Sequence, residues 1–219
     1  MFHNLFLVGF RATGKSTIGK ILAKKLNWDF VDVDILIEQK TKMSINQLTK
    51  NGTEWQKFRQ LEFDIIAQLL SKKNIVIAAG GGAAVNNIIK NGTNKTFGKL
   101  TTEFLKKQKN TCVVLFIAEE KVIAERIRQD EMEKAETKRP FFDKKKSIEI
   151  QKKLQEFADS PQKQKEILVE EIVKDSLSVF ETRKSLYKKL TDKILDTGKY
   201  EVEECAKIVE KYLGRPLEK

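Results

Sequence analysis

Nine residues constrain this chain more than any others: Gly9-Phe10-Arg11-Ala12-Thr13-Gly14-Lys15-Ser16-Thr17. An apolar run, Leu5 to Val8, precedes them and has the length of a buried strand. Helical spacing follows, with Ile18, Ile21, Leu22 and Leu26 on one face and Lys20, Lys24 and Lys25 off it. A strand, then GxxxxGK[ST], then a helix is the setting of a phosphate-binding P-loop. Gly9 and Gly14 let the backbone turn tightly, so that successive N–H groups point at phosphate oxygens. Ala12, Thr13, Gly14, Lys15, Ser16 and Thr17 are thus the nucleotide-binding residues. The helix opening near Lys15 adds its positive dipole end. Lys15 reaches the β- and γ-phosphates of ATP, and Ser16 offers its hydroxyl to Mg²⁺.

A chain of 219 residues with this site is expected to be one domain, or one domain carrying an inserted subdomain. Its net charge of +11 raises a nucleic-acid hypothesis. The basic residues, however, lack interleaved aromatics and any known nucleic-acid module. Abundant lysine, asparagine and isoleucine read as a general composition bias. A positive field also serves ATP and a small anionic substrate, so no specific nucleic-acid partner is expected. Cys112 and Cys205 lie far apart in apolar, periodic surroundings. They read as two buried thiols in a reducing compartment, without a zinc site. The first residues carry no charged leader and no cleavage pattern, and no stretch approaches a membrane-spanning length. A cytoplasmic location with no membrane partner follows.

Along the chain, strands alternate with helices. Strands are expected at Trp28 to Asp34, Ile75 to Ala79, Cys112 to Ile117 and Lys193 to Leu195. Helices are expected at Met43 to Lys50 with Ser44 as N-cap, Thr53 to Ser71, Glu119 to Gln129, Ser147 to Asp159, Gln162 to Leu190 and Glu201 to Leu213. Asn51-Gly52 reads as a break. Residues 83–110 give only a weak helical signal. The charged stretch from Gln129 to Lys146, around Arg139-Pro140, is long for a loop in a compact domain and reads as a mobile lid. The alternation predicts a parallel sheet with helices on both faces.

Ligands of such sheets bind beyond the carboxyl ends of the strands. Three clusters fall there: the P-loop, the pair Asp32 and Asp34 at the end of the second strand, and Gly80-Gly81-Gly82 after the third. On an extended chain the two aspartates would share one side. Either later cluster alone could be an ordinary turn; three at one sheet edge point to a site.

At this point the chain resembles the shikimate kinases. The matching pieces, in family order, are the P-loop, Asp32-Val33-Asp34, Met43-Ser44-Ile45, Phe58-Arg59-Gln60-Leu61-Glu62, Gly80-Gly81-Gly82-Ala83, Arg139-Pro140 and Arg183-Lys184-Ser185-Leu186-Tyr187. Ala12 stands where the family often has glycine. The stretch from Pro140 to Arg183 is longer than the family's usual one. The resemblance implies an α/β P-loop kinase fold: a five-stranded parallel sheet, helices on both faces and a mobile lid. It implies a single domain over 1–219, a substrate-binding helical region at about 35–72 and a lid at about 129–160. The implied reaction moves the γ-phosphoryl group of ATP to the 3-hydroxyl of shikimate. Lys15, Asp34 and Arg139 would be catalytic, with Asp34 hydrogen-bonded to the attacking hydroxyl. Ser16 and Asp32 would hold Mg²⁺. Arg126 would stack on adenine, and Arg139 would close over the phosphates. Arg59 and Arg183 would clamp the shikimate carboxylate, Glu62 would lock Arg59, and Gly80, Gly81 and Gly82 would admit the substrate ring. The enzyme would be a monomer. The alternatives are another P-loop small-molecule kinase (gluconate-type or nucleoside monophosphate), a non-catalytic relative, and a nucleic-acid-dependent ATPase.

Overall fold

The computed structural model describes residues 2–50, 54–133, 149–150, 153–191 and 193–214. Five strands form one all-parallel sheet: β1 (Asn4–Gly9), β2 (Asp29–Asp32), β3 (Ile75–Ala78), β4 (Thr111–Ile117) and β5 (Ile194–Asp196). Their order is β2-β3-β1-β4-β5, so β1 is central and flanked by β3 and β4. Every residue of β1 is buried. That burial explains its unbroken apolar reading: a parallel strand covered on both faces has no wet side.

The period of two divides the core. Phe6 and Val8 of β1 pack on one face with Ile75, Ile77 and Leu115; Leu5 and Leu7 pack on the other with Val76, Val114 and Phe116. The second face is covered by α1 (Lys15–Leu26), through Ile18 and Leu22, and by α8 (Val202–Tyr212), through Cys205 and Val209. The first face carries α2 (Val33–Thr41), α4 (Trp55–Leu70), α5 (Phe97–Lys107), α6 (Glu120–Glu133) and α7 (Pro161–Tyr187). The short α3 (Ile45–Leu48) links α2 to α4. Its Ser44 cap forms as expected, with Gln47 closing a capping box. Both cysteines are buried and unbridged, and burial pushes the Cys112 thiol up to about 11.

One expectation needs correction, and one weak signal is resolved. The second strand does not run to Asp34. It ends at Asp32, whose carboxylate accepts from the Ile35 N–H at 3.3 Å and caps α2. Capping an otherwise unpaired helix N–H ends the extended chain there. Asp32 and Asp34 therefore do not share one side of a strand. The weak region 83–110 contains a full helix, α5, started by Thr96, whose hydroxyl accepts from the Lys99 N–H at 3.1 Å. Phe63 of α4 meets Phe97 and Phe104 of α5, at centroid distances of 6.4 and 6.2 Å. Long-range aromatic packing, invisible to local periodicity, fixes that helix. Asn51-Gly52, most of the expected lid including Arg139, and parts of the helix expected at Ser147 to Asp159 lie outside the described residues.

Gly98 shows how tightly α5 is drawn in. A Cβ there would sit 2.6 Å from the Asn86 carbonyl oxygen and 2.7 Å from its nitrogen. Helix propensity alone would make Gly98→Ala stabilising by ~1 kcal/mol. Overpacking against backbone should reverse the sign, giving a net loss of about 1–3 kcal/mol and a lower thermal midpoint by circular dichroism. A raised midpoint would contradict the close approach.

Candidate active site

The carboxyl ends of β1, β2, β3 and β5, together with α6 after β4, line one cleft of about 750 Å³. After β1, Arg11, Ala12, Gly14, Lys15, Ser16 and Thr17 line it. Gly14 caps α1 at φ 81° and Ala12 adopts φ 61°, both in the left-handed region that favours glycine. Thr13 is buried and does not line the cleft; its hydroxyl donates to the Phe10 carbonyl at 2.7 Å and holds the loop's shape. The Lys15 ammonium donates to the carbonyls of Gly9 at 3.0 Å and Phe10 at 2.8 Å. Ser16 donates to Asp32 at 2.5 Å, so α1 and the end of β2 present a hydroxyl and a carboxylate side by side.

Arg126 of α6 bridges the P-loop and the end of β5. It donates to the Ala12 carbonyl at 3.3 Å, and to the Thr197 hydroxyl and carbonyl at 3.1 and 2.8 Å. The far wall is the turn after β5, Thr197 to Glu201, running into Val202 and Cys205 of α8, with Tyr200 nearly half exposed. Sequence reasoning missed this wall: a short turn such as Gly198-Lys199-Tyr200 carries no chemical signature of its own.

A smaller pocket opens beside the cleft, lined by Phe10, Trp55, Phe58, Arg59, the three glycines and Arg183. Arg59 and Arg183, separated by most of the chain, both line it. Arg59 pairs with Glu62 at 2.5 Å, both almost fully buried, and its guanidinium lies over the Trp55 and Phe58 rings at 5.1 and 4.9 Å. Its Nε atom and Glu62 Oε1 are buried without a hydrogen-bond partner. Arg183 donates to the Gly81 carbonyl at 3.5 Å, and the Tyr187 hydroxyl donates to the same oxygen. Burial pushes the Tyr187 phenol up to about 12, so it remains a donor at neutral pH.

The triple glycine makes room for these charges. A Cβ at Gly80 would collide with Glu62 and approach Asp34 Oδ1 to 2.6 Å. One at Gly82 would run into the Arg59 guanidinium. Both cavities are bounded by Arg11, Asp34, Ile45 and Gly81. Asp34, in the first turn of α2, thus faces the P-loop cleft from one side and the arginine pocket from the other.

The family model for shikimate kinase matches residues 11–213. The chain belongs to the shikimate kinase family. It is similar to shikimate kinase of Syntrophus aciditrophicus, 31% identical over 213 residues, 97% of this chain and 90% of that protein. The shikimate kinase of Sulfurihydrogenibium is 46% identical over 74 residues, 34% of this chain and 44% of that protein. With several curated relatives the match likewise spans under half of their length. Among solved structures, shikimate kinase from Acinetobacter baumannii in complex with shikimate covers all of this chain and 97% of its own, at 23% identity and a TM-score of 0.68. The shikimate kinase family uses ATP as co-substrate, which suits the P-loop cleft.

Glu62 gives this site a measurable pH signature. Burial raises its pKa above the ordinary 4.5, outweighing the lowering by Arg59. A raised native pKa supplies stability that is full below the unfolded value and is lost as pH rises through the native one. The stability of the wild type relative to Glu62→Gln should therefore fall as pH climbs above 4.5, by at most ~1.4 kcal/mol per unit. Urea denaturation across this range reads it. A difference that grows with pH would mean that pairing with Arg59 dominates burial.

Proposed function

We propose that this chain catalyses ATP-dependent phosphorylation of the 3-hydroxyl of shikimate, giving shikimate 3-phosphate and ADP. The observation that carries the reading is Asp34 on the boundary shared by the phosphate cleft and the arginine pocket. A donor phosphate held by the P-loop and an acceptor held by Arg59 and Arg183 would meet at that carboxylate.

Phosphoryl transfer asks mainly for positioning and charge neutralisation. The P-loop N–H groups and Lys15 would hold the β- and γ-phosphates, and Arg126 and the turn at Thr197 to Val202 would border the base. The planar guanidinium groups of Arg183 and Arg59, which line the same pocket, suit a carboxylate. Asp34 would orient the acceptor hydroxyl and accept its proton as the new O–P bond forms. The bond from phosphorus to the bridging oxygen of ATP breaks, and ADP departs with its electron pair. Ser16 and Asp32 fit a hard cation through their adjacent oxygen donors. Mg²⁺ bound there would neutralise phosphate charge. The resemblance extends the proposal to Arg139 as a further phosphate cation. No helix among the described residues is long and apolar enough to cross a membrane. We read the enzyme as a single domain, monomeric and cytoplasmic.

A coupled ADP-release assay with shikimate, quinate and gluconate as acceptors tests the assignment. Shikimate should be strongly preferred; equal or greater turnover of gluconate would favour a gluconate-type kinase. Lys15→Ala and Asp34→Asn should each lower kcat by ~10²–10³ with unchanged circular dichroism. Activity within a few-fold of wild type in either would remove that residue from the mechanism. Arg183→Lys separates a carboxylate clamp from a surface cation. Loss of one charge-assisted hydrogen bond, ~1.5–3 kcal/mol, should raise the KM for shikimate about tenfold or more and leave that for ATP unchanged. An unchanged shikimate KM would return Arg183 to a structural role on the Gly81 carbonyl.

A further inference from the structure

The motif treats Arg11 as a filler position, yet its side chain is only 10% exposed and heavily supported. Its guanidinium donates to Glu131 of α6 at 2.5 Å and to the hydroxyl of Ser176 of α7 at 3.2 Å. The Glu131 side chain is 1% exposed, and Ser176 is equally buried. Burying an arginine with its own counter-ion is costly, and many such pairs can be replaced by apolar residues without loss. The placement suggests what this pair is for. Arg11 bounds both the P-loop cleft and the arginine pocket, and among the described residues it is, with Asp34, one of two charged residues that do so. Its backbone nitrogen lies 3.4 Å from where a Cβ on Gly81 would sit, so the P-loop crest and the glycine turn face each other across the opening. Any group passing from donor to acceptor crosses that opening.

We propose that Arg11 is a further binding residue for the γ-phosphoryl group, held in place by Glu131 and Ser176. A guanidinium presents its N–H donors in a rigid plane, so one edge can be anchored on a carboxylate while another meets a phosphoryl oxygen. Lys15 would serve the phosphates from inside the loop, and Arg11 would serve the transferred group at the mouth of the acceptor pocket. The proposal rests on the kinase reading above, but its test does not depend on the acceptor.

The discriminating quantity is the affinity for a non-hydrolysable ATP analogue, AMP-PNP, against that for ADP, both measured by calorimetry. ADP lacks the γ-phosphoryl group, so only contacts to that group separate the two. The double variant Arg11→Met with Glu131→Gln removes both charges and leaves no buried ion alone. It should bind AMP-PNP about tenfold more weakly and ADP within twofold of wild type, with kcat reduced and the KM for shikimate little changed. Arg11→Lys keeps the charge and loses the fork, and should lose several-fold of the discrimination. It also answers the question if the double variant does not fold. Parallel weakening of both nucleotides, or wild-type discrimination in either folded variant, would overturn the proposal and leave the ion pair as a brace for the loop. Failure to phosphorylate shikimate, with discrimination behaving as expected, would instead count against the acceptor assignment alone.

Discussion

Arg59 and Glu62 face each other at 2.5 Å inside the protein, with almost no water around either. Such a pair is not a source of stability in itself; its desolvation roughly cancels its attraction, and removing one partner is what costs heavily. Much of the arginine pocket follows from keeping it. One helical turn of α4 presents both side chains to the same side. Trp55 and Phe58 pack against the guanidinium. Gly80 and Gly82 cannot carry a Cβ without striking Glu62 or Arg59. Gly98, in turn, lets α5 press on the Asn86 backbone at the end of that same turn. A buried cation with an unpaired Nε is thereby delivered to a pocket beside a phosphate-binding loop.

The second organising element is one face of α7. Ser176, Phe180, Arg183 and Tyr187 recur at helical spacing along it. Ser176 accepts from Arg11, Phe180 meets Phe10 at a centroid distance of 5.3 Å, and Arg183 and Tyr187 both donate to the Gly81 carbonyl. The P-loop and the glycine turn are thus positioned by a single rigid rod. Two loops tied to one helix are positioned relative to each other, as in-line transfer between ligands held by the two would require.

Much of this was legible in the residues. The P-loop, the Arg59–Glu62 spacing and the glycine run are local patterns whose chemistry can be read directly, and the alternation of apolar strands and amphipathic helices implied the parallel sheet. Legibility failed where the deciding contact is distant in sequence. The second strand reads as running on to Asp34 until the Asp32 carboxylate is seen capping α2 and accepting from Ser16. The helix α5 depends on Phe63 from another element. The turn at Thr197 to Val202 joins the site because Arg126 reaches it. Arg11 is unremarkable in the motif, and only the fold brings Glu131 and Ser176 to it.

The central claim is that a buried, pre-positioned pair of arginines reads the carboxylate of the acceptor while the P-loop holds the donor. It is tested most directly by comparing shikimate with its carboxamide, which keeps ring and hydroxyls but loses the charge. With Arg59 and Arg183 reading that group, kcat/KM should fall on the order of 10²-fold for the amide, at ~1.5–3 kcal/mol per charged hydrogen bond, while the KM for ATP stays the same. Equal kcat/KM for the two acceptors would contradict the claim.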